Sequence, residues 1–412
     1  MRKVKLSNCG DYILSPKISS NDLTCENYIT TDNMLPNKAG IINAESVPQN
    51  LSVTQYIKND ILLSNIRPYF KKIWLAEYNG GCSADVLVFR TNDDYDSTYI
   101  KYCLSQDSFF AYDMAGSKGS KMPRGDKNHI LNFELLDYDL QTQKNIGNLL
   151  LSIDKKIKLN NKINLELENF AKGLYEYWFV QFDFPDEFGR PYKSSGGKMI
   201  YNEKLKRNIP YEWSVDNVKS CITHINTWLN PRYNFVLNNG NIKYITVKNL
   251  TTQGSIDFSN CDTIDEVAQK TVHKRSDISK GDILFASIAP LGRCYLIQEE
   301  PQTWDINESV FSIRPKNTMP SEYLYMFLMS ETFVKKAENS STGSVFAGIR
   351  IKTLEDMLLV IPNNKILQLF KEKTSKILLQ KHIKECENQK LIQLRDFLLP
   401  MLMNGQISII AE

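Results

Sequence analysis

The chain contains the same pattern twice, and this internal repeat limits its fold more than any other feature. YITTDNM at 28–34 returns as YITVKNL at 244–250, and NDILLSNIRP at 59–68 returns as GDILFASIAP at 281–290. Farther along, residues recur at an offset of 224: Val86/Val310, Arg90/Arg314, Ser97/Ser321, Tyr99/Tyr323, Leu104/Leu328, Phe109/Phe333, Gly119/Gly343 and Ser120/Ser344. Solenoid repeats are only about 20 to 50 residues long. The offset therefore predicts a duplicated domain, which could hold a partner that itself has two parts.

Composition places the chain among ordinary globular proteins. Its 412 residues are 42% hydrophobic and 24% charged, which favours two or three domains. No apolar run is long enough to span a membrane, and MRKVKLSNCGDYI lacks the apolar core of a signal peptide, so we expect a cytoplasmic protein. The eight cysteines form no CxxC pair and suggest no metal site with the four histidines, so we expect reduced thiols and no metal.

The order of short strands and helices predicts an α+β fold. Strands are expected at 61–66 and 85–90, followed by a helix at 98–112, and the second copy repeats this order. The predicted layout is a first domain at 1–140, a long helix at 141–182, a connector at 183–208, a second domain at 209–363 and a second long helix at 364–405. The Pro, Gly and Ser of the connector predict an extended, partly ordered segment.

Each copy is followed by a long amphipathic segment. In the first, apolar residues and two asparagines step by three and four, as in a coiled-coil seam: Ile146, Leu150, Ile153, Ile157, Asn160, Asn164 and Leu167. The second seam is weaker and contains Ile377, Asn388, Leu391 and Leu398, with Lys381 at the position of Ile157. We predict that the two helices pair in antiparallel orientation with pseudo-twofold symmetry. Pro400 should end or kink the second helix.

Catalytic signatures are weak throughout. GGKM at 196–199 lacks the first glycine and the final Ser or Thr of a phosphate-binding loop. NPRY at 230–233 has no glycine-rich loop to complete a methyltransferase motif, and no GxSxG elbow occurs. These observations favour a binding protein over an enzyme.

Basic and aromatic residues cluster instead in loops at matching places of the two copies. Net charge is only +3, so any nucleic-acid surface must be local. Lys and Arg supply phosphate contacts, while Asn and Arg recognise base edges. The candidate DNA-binding residues are Arg67, Tyr69, Lys71, Lys72, Lys118, Lys121 and Arg124 in the first copy, and Asn230, Arg232, Tyr233, Lys248, Lys274, Arg275, Arg293, Ser344 and Arg350 in the second.

Three strings and the tandem layout give the chain its family resemblance. They are FPDEFGRPYKSSGGKM at 184–199, IPYEW at 209–213 and DFLLPMLMNGQI at 396–407. With these features the chain resembles, over essentially its whole length, the DNA specificity subunit of type I restriction–modification systems.

The resemblance implies a non-catalytic subunit with two target recognition domains, each recognising one half of a bipartite, asymmetric double-stranded DNA target. The helix pair would set the spacer and dock two modification subunits, which bind S-adenosylmethionine. Restriction subunits, which use ATP and Mg²⁺, would complete the complex. This chain would bind no cofactor itself. Half-sites one DNA turn, about 34 Å, apart are compatible with helices of about 60 Å.

Two alternatives compete with this interpretation. The chain could be the recognition half of a self-contained restriction–methylation enzyme, in which case it should transfer methyl groups by itself. It could also be a coiled-coil adaptor that binds only proteins, in which case it should have no salt-dependent affinity for DNA.

Overall fold

The chain forms two compact units, each with one copy of the repeat. The computed structural model describes residues 2–119, 121–227, 234–340 and 348–409. One unit comprises 1–159 and 388–412, and the other comprises 160–387. The division falls inside both long helices, so each unit contains one copy and one part of each helix. Within the described ranges, every helix falls short of the length and apolarity needed to cross a bilayer.

The first copy is a series of short strands and helices. In chain order they are β1 (Lys3–Lys5), α1 (Leu6–Cys9), β2 (Gly10–Tyr12), β3 (Lys17–Ser19), β4 (Tyr28–Ile29), β5 (Ser52–Tyr56), β6 (Ile61–Ser64), β7 (Ile73–Leu75), β8 (Gly80–Cys82), β9 (Val86–Thr91), α2 (Ser97–Cys103), α3 (Asp107–Gly116), α4 (Lys127–Leu131) and β10 (Glu134–Leu136). One sheet has the antiparallel order β2-β9-β6-β7 and a second has the order β3-β5-β8-β4, in which β4 and β8 are parallel. Strands β1 and β10 form a separate antiparallel pair.

The remaining elements complete the second unit. They are α5 (Leu140–Tyr175), which continues into a π-helical turn at Glu176–Val180, and then β11 (Met199–Asn202), β12 (Arg207–Pro210), β13 (Ser214–Asn217), α6 (Val218–Cys221), β14 (Ile222–Asn226), β15 (Ile242–Ile245), β16 (Asp262–Ile264), α7 (Glu266–Ser276), β17 (Ile283–Ala286), β18 (Cys294–Leu296), β19 (Trp304–Ile306), β20 (Val310–Pro315), α8 (Ser321–Met329), α9 (Glu331–Asn339), α10 (Ile351–Glu355), β21 (Leu358–Ile361) and α11 (Asn364–Met403).

The second copy repeats the main sheet, the parallel pair and the terminal pair of the first, but its second sheet has the order β16-β15-β19. Its main sheet has the order β14-β20-β17-β18, its parallel pair is β15–β19, and β13 pairs with β21 as β1 does with β10. Buried tertiary contacts repeat as well. The Tyr99 hydroxyl donates a hydrogen bond to the Leu136 carbonyl at 2.9 Å, and the Tyr323 hydroxyl donates to the Val360 carbonyl at 2.6 Å. The predicted α+β fold with an internal duplication is confirmed, although 98–112 and 321–337 each form two short helices rather than one.

An ion pair between a buried aspartate and a partly exposed arginine joins the central strands of each copy. Asp60, at the start of β6, accepts two hydrogen bonds from Arg90 on β9 at 2.7 and 2.8 Å, and its side chain is 1% exposed. Asp282 and Arg314 form the same pair between β17 and β20. Because the pair bridges neighbouring strands at one end of the sheet, it fixes their register and so the position of the loops at the other end.

The long helices pack in antiparallel orientation within each unit. In the first unit Asp154 of α5 pairs with Arg395 of α11 at 2.9 Å, and Ile146 shares a core with Leu402. In the second, Glu168 pairs with Lys381 at 3.2 Å, and Trp178 contacts the ring of Phe370 farther along.

Most of the predicted α5 seam is buried, but the α11 seam differs from the prediction. Leu378 and Leu399 are buried, while Ile377 and Leu398, one position earlier, are half-buried. Helix α11 also packs on the domain cores, so its apolar stripe is not a pure heptad. Pro400 lies inside α11, which ends three residues later at Met403.

The connector at 183–208 is folded, which corrects the prediction of an extended segment. Phe184 stacks between Tyr192 and Trp213, with ring centroids 4.6 and 4.5 Å away. Residues 199–210 form the β11–β12 hairpin. The aromatic residues of this segment outweigh its Pro, Gly and Ser content, because their burial in the core favours one packed conformation.

An unusual polar cluster lies beneath two loops of the first copy. Asp113 on α3 is 1% exposed, and neither of its carboxylate oxygens has a hydrogen-bond partner among the described residues. The amide oxygen of Asn65 is also without such a partner. A Cβ added to Gly125 would lie 2.6 Å from Asp113 Oδ1 and 3.0 Å from Asn65 Oδ1, so both oxygens face this glycine. Burial raises the pKa of Asp113 to about 6, with His129 opposing the shift.

Arg90→Met should lower the free energy of unfolding of the first unit by about 3 to 5 kcal/mol, because it leaves the Asp60 carboxylate buried without its cation. Urea denaturation followed by tryptophan fluorescence measures the change. Lys206→Met is the matched control, since Lys206 pairs with Glu203 in solvent. Its removal should leave stability almost unchanged, and an equal effect of both substitutions would contradict the assigned role of the buried pair.

Asp113→Asn should stabilise the protein at pH 8 by roughly 1 to 3 kcal/mol, because the wild-type carboxylate is ionised there and has no hydrogen-bond partner in the part of the chain that the structure describes. The folded-state pKa is raised, so the native state binds more protons than the unfolded state between about pH 4 and pH 6, and wild-type stability falls as pH rises through that window. Urea denaturation of both proteins at pH 5 and pH 8 tests this. The advantage of the variant should shrink at pH 5, and a constant difference would refute the assignment.

Candidate nucleic-acid interface

The first candidate surface consists of residues 64–72, 117–119 and 121–126, which we call the first loop surface. The segment 64–72 joins β6 to β7, at the end of the sheet opposite to the Asp60–Arg90 pair. The Arg67 amide donates to the Pro123 carbonyl at 2.7 Å, and the Gly125 amide donates to the Asn65 carbonyl at 3.2 Å. These backbone bonds bring the two basic clusters predicted from sequence onto one surface.

The backbone of the first segment is strained. Arg67 and Lys71 flank the 3₁₀ turn Pro68–Phe70, and both have left-handed φ values, 51° and 52°. Such conformations cost about 1 kcal/mol or more for residues with a Cβ and concentrate at functional sites. The turn leaves Tyr69 47% exposed. An exposed aromatic ring between cations can pack on a sugar or a base.

Three cations of the first loop surface have carboxylate partners. Lys71 pairs with Asp107 at 2.9 Å, Lys118 with Asp126 at 2.7 Å and Arg124 with Asp85 at 2.9 Å. The hydrogen bond from Lys118 helps to lower the pKa of Asp126 to about 2, so this pair is ionised at neutral pH. Sequence reasoning missed these counter-ions, although Asp126 is visible beside Arg124 in the string RGDK.

Lys121 and Lys72 differ from these paired cations. Lys121 is exposed and forms no ion pair within the described part of the chain. Lys72 is half-buried, and its ammonium donates to the Thr31 carbonyl. Burial lowers the pKa of Lys72. Lys121 is therefore open to solvent, while Lys72 holds a neighbouring loop.

The second copy builds the same junction from different residues. The Ile349 amide donates to the Ser287 carbonyl at 2.9 Å, and Ile288 bridges to Gly348. Residues 287–293 and 348–350 form what we call the second loop surface. Ser287 matches Asn65 at an offset of 222, and Ile349 matches Gly125 at 224. The frame is thus shared, while the residues that it carries differ.

The structure brings some second-copy candidates together and separates others. Arg293 Nη1 donates to the Val247 carbonyl at 3.5 Å, next to the exposed Lys248, and Arg350 is exposed at the start of α10. Lys274 and Arg275 lie elsewhere, at the end of α7, close to Asp277, whose carboxylate binds Arg314. The remaining candidates, which are Asn230, Arg232, Tyr233 and Ser344, fall outside the described residues.

A buried lysine joins another loop of the second copy to helix α11. Lys381 is 4% exposed and donates to the carbonyls of Gln253 and Gly254, the latter at 2.9 Å. Its ammonium also pairs with Glu168 of α5. One turn along, Glu385 accepts a hydrogen bond from Ser255, and burial raises the pKa of this carboxyl group. The lysine that weakens the predicted seam therefore fastens the loop at 251–255 to the helix.

Comparisons with known proteins agree with this geometry. Residues 197–396 match the family model "Type I restriction modification DNA specificity domain". The chain is 22% identical to the HindI specificity subunit of Haemophilus influenzae, a type I restriction enzyme subunit, over 92% of this chain and 94% of that protein. It is 23% identical to the MjaIX specificity subunit of Methanocaldococcus jannaschii, over 77% of this chain and 70% of that one.

A solved structure has the same fold. The S subunit of a type I restriction–modification system from M. genitalium superposes with a TM-score of 0.59 at 14% identity, covering 98% of this chain and 96% of the other. The duplicated frame, the paired helices and the sequence matches lead to one conclusion. Residues 197–396 carry the type I restriction modification DNA specificity domain, and the chain as a whole is similar to the DNA specificity subunits of type I restriction–modification systems.

Proposed function

We propose that each copy of the repeat recognises one half of a bipartite, asymmetric DNA target, and that the chain selects sequence for a type I restriction–modification complex. The observation that carries the proposal is the loop surface built twice on one frame with non-equivalent residues. Two identical surfaces would favour a symmetric target. The first copy presents Lys118, Lys121 and Arg124, and the matching positions in the sequence of the second hold Thr342, Val345 and Gly348.

DNA binding at the first loop surface would proceed by exchange of partners. Lys71, Lys118 and Arg124 would leave their carboxylates for phosphates, which costs little because solvent-exposed ion pairs contribute only about 0 to 1 kcal/mol. Lys121 would add a contact without giving up a pair. In the second copy, Lys248, Arg293 and Arg350 would have the corresponding roles.

The partners of this chain would be two modification subunits and, in the restricting complex, restriction subunits. The support is the apolar surface left on the long helices. Phe170 of α5 and Phe397 of α11 are each 63% exposed. In the second unit a groove of about 580 Å³ is lined by Phe170, Leu174, Trp178 and Ile377. Apolar patches of this kind on a folded protein mark interaction surfaces.

This arrangement assigns the chemistry to other chains. The modification subunits would supply S-adenosylmethionine, and the restriction subunits would use ATP and Mg²⁺. The helix pair would set the spacer between the two half-sites. We expect the complex to work in the cytoplasm, where the DNA is.

Lys121→Gln should weaken DNA binding by roughly tenfold, about 1.4 kcal/mol, because it removes one charge-assisted phosphate contact. The slope of log affinity against log salt should also become shallower by about 1. Fluorescence anisotropy with the assembled methyltransferase complex measures both quantities. Lys58→Gln is the matched control, since Lys58 is exposed beside the opposite end of the same sheet. If both substitutions act equally, the loop surface is not the contact.

Exchange of residues 1–140 for the same domain of another family member should change one half of the methylated target and leave the other half intact. The reason is that each copy has its own core and its own loop surface. Sequencing that maps methylated bases in cells carrying the hybrid and its modification partner measures the target. Exchange of 209–363 should change the other half. A hybrid that changed both halves would contradict the modular assignment.

A further inference from the structure

A cluster of His382, Cys386 and Glu299 lies in the second unit and has no role in the proposed DNA contacts. His382 and Cys386 are one turn apart on α11, and Glu299 follows β18. Residues at i and i+4 share one helix face, and this spacing places two metal ligands side by side in many zinc proteins. The spacing of His382 and Cys386 is visible in the sequence, whereas Glu299 joins them only in the fold.

The distances within the cluster are those that a shared ion would give, although the His382–Cys386 contact is also within range of a hydrogen bond to sulfur. His382 Nε2 lies 3.5 Å from Cys386 Sγ and 3.7 Å from Glu299 Oε2, and the three ligand atoms all lie within 4.8 Å of one another. An N···O separation of 3.7 Å is too long for a hydrogen bond. A tetrahedral Zn²⁺ ion, with bonds of about 2.0 to 2.3 Å, separates its ligand atoms by about 3.3 to 3.7 Å.

The surroundings of His382 suit a metal ligand. Its second ring nitrogen, Nδ1, faces the hydroxyl oxygen of the buried Tyr295 at 3.5 Å. Histidines that bind zinc through one nitrogen usually donate the other N–H to an oxygen, which fixes the ring. The Glu299 side chain is 70% exposed, so an ion could enter from solvent and keep a water as its fourth ligand.

The first copy has an ionic contact at the corresponding place. Lys158 matches His382 at the offset of 224, and its ammonium contacts both carboxylate oxygens of Glu77 at 2.8 Å. Glu77 follows β7 as Glu299 follows β18. In the first copy a lysine thus ties this loop to the long helix. In the second copy a histidine replaces that lysine, and a thiol lies one turn farther along.

We propose that Glu299, His382 and Cys386 form a zinc site that ties the loop after β18 to helix α11. The ion takes the role that the Lys158 ammonium has in the first copy. The mixed nitrogen, sulfur and oxygen donor set selects Zn²⁺ over Mg²⁺ or Ca²⁺, which prefer oxygen ligands. The site is a structural clamp, since it holds one recognition domain on its helix.

Thiol alkylation of the full-length chain, followed by peptide mass spectrometry, tests the proposal without substitution of any residue. One equivalent of Zn²⁺ should slow the alkylation of Cys386 at least tenfold, because a coordinated thiolate is shielded. The internal control is Cys261, a partly buried cysteine of the same unit that belongs to no such cluster among the described residues. Equal alkylation rates at Cys386 with and without Zn²⁺ would overturn the proposal.

Two variants identify the other ligands. His382→Gln should abolish the protection of Cys386 by Zn²⁺. Glu299→Gln changes an exposed side chain that the fold does not need, and should weaken zinc binding at least tenfold. Co²⁺ should give thiolate charge-transfer absorption with the wild-type chain and none with Cys386→Ser. Protection that persists at full strength in both the His382 and the Glu299 variants would refute the site. Because none of these readouts involves DNA, their outcome is independent of the proposed function.

Discussion

An ion pair between a buried carboxylate and a partly exposed guanidinium, made once in each copy, is the interaction on which the two main sheets depend. Asp60 with Arg90, and Asp282 with Arg314, join the two central strands of the main sheets at one end. A slip of one residue between these strands would turn every core side chain to the wrong face. The pair therefore fixes the register, and the register fixes the opposite end of the sheet, where the loop surfaces lie. A loop surface that is proposed to contact DNA needs such a rigid base.

The two copies differ in the residues that lie beneath their loop surfaces. In the first, the carboxylate of Asp113 and the amide oxygen of Asn65 lie beneath the loops facing Gly125, and neither group has a hydrogen-bond partner for its oxygens among the described residues. The residues at the matching positions of the second are Ala337 and Ile349, both buried and apolar. The first copy thus retains an energetic cost that the second has replaced by ordinary packing. This cost lies directly under the strained turn at Arg67 and Lys71, which suggests that the first loop surface is held in a conformation that local sequence preference would not choose.

The polar residues of the long helices have a similar explanation. Lys381 would be an expensive residue in a dry coiled-coil seam. Here its ammonium binds two loop carbonyls and a carboxylate, so the seam position fastens the recognition domain of the second unit to its helix. In the heptad pattern the lysine occupies a position where an apolar residue is expected. The tertiary contacts show that it joins the loop at 251–255 to the long helices.

The sequence by itself determined the duplication, the α+β class and the long helices, because each depends on periodic or repeated residues. It also located the basic loops, since glycine, lysine and arginine cluster there in both copies. Only the tertiary structure decided which cations have carboxylate partners, why Lys72 differs from Lys121, and that Lys274 lies away from the loop surface.

The folded connector and the cluster at His382 were also beyond the sequence pattern. Their partners are far apart in the chain, as Trp213 is from Phe184 and Glu299 from Cys386. A contact between such residues depends on how strands and helices pack, and no local preference encodes it.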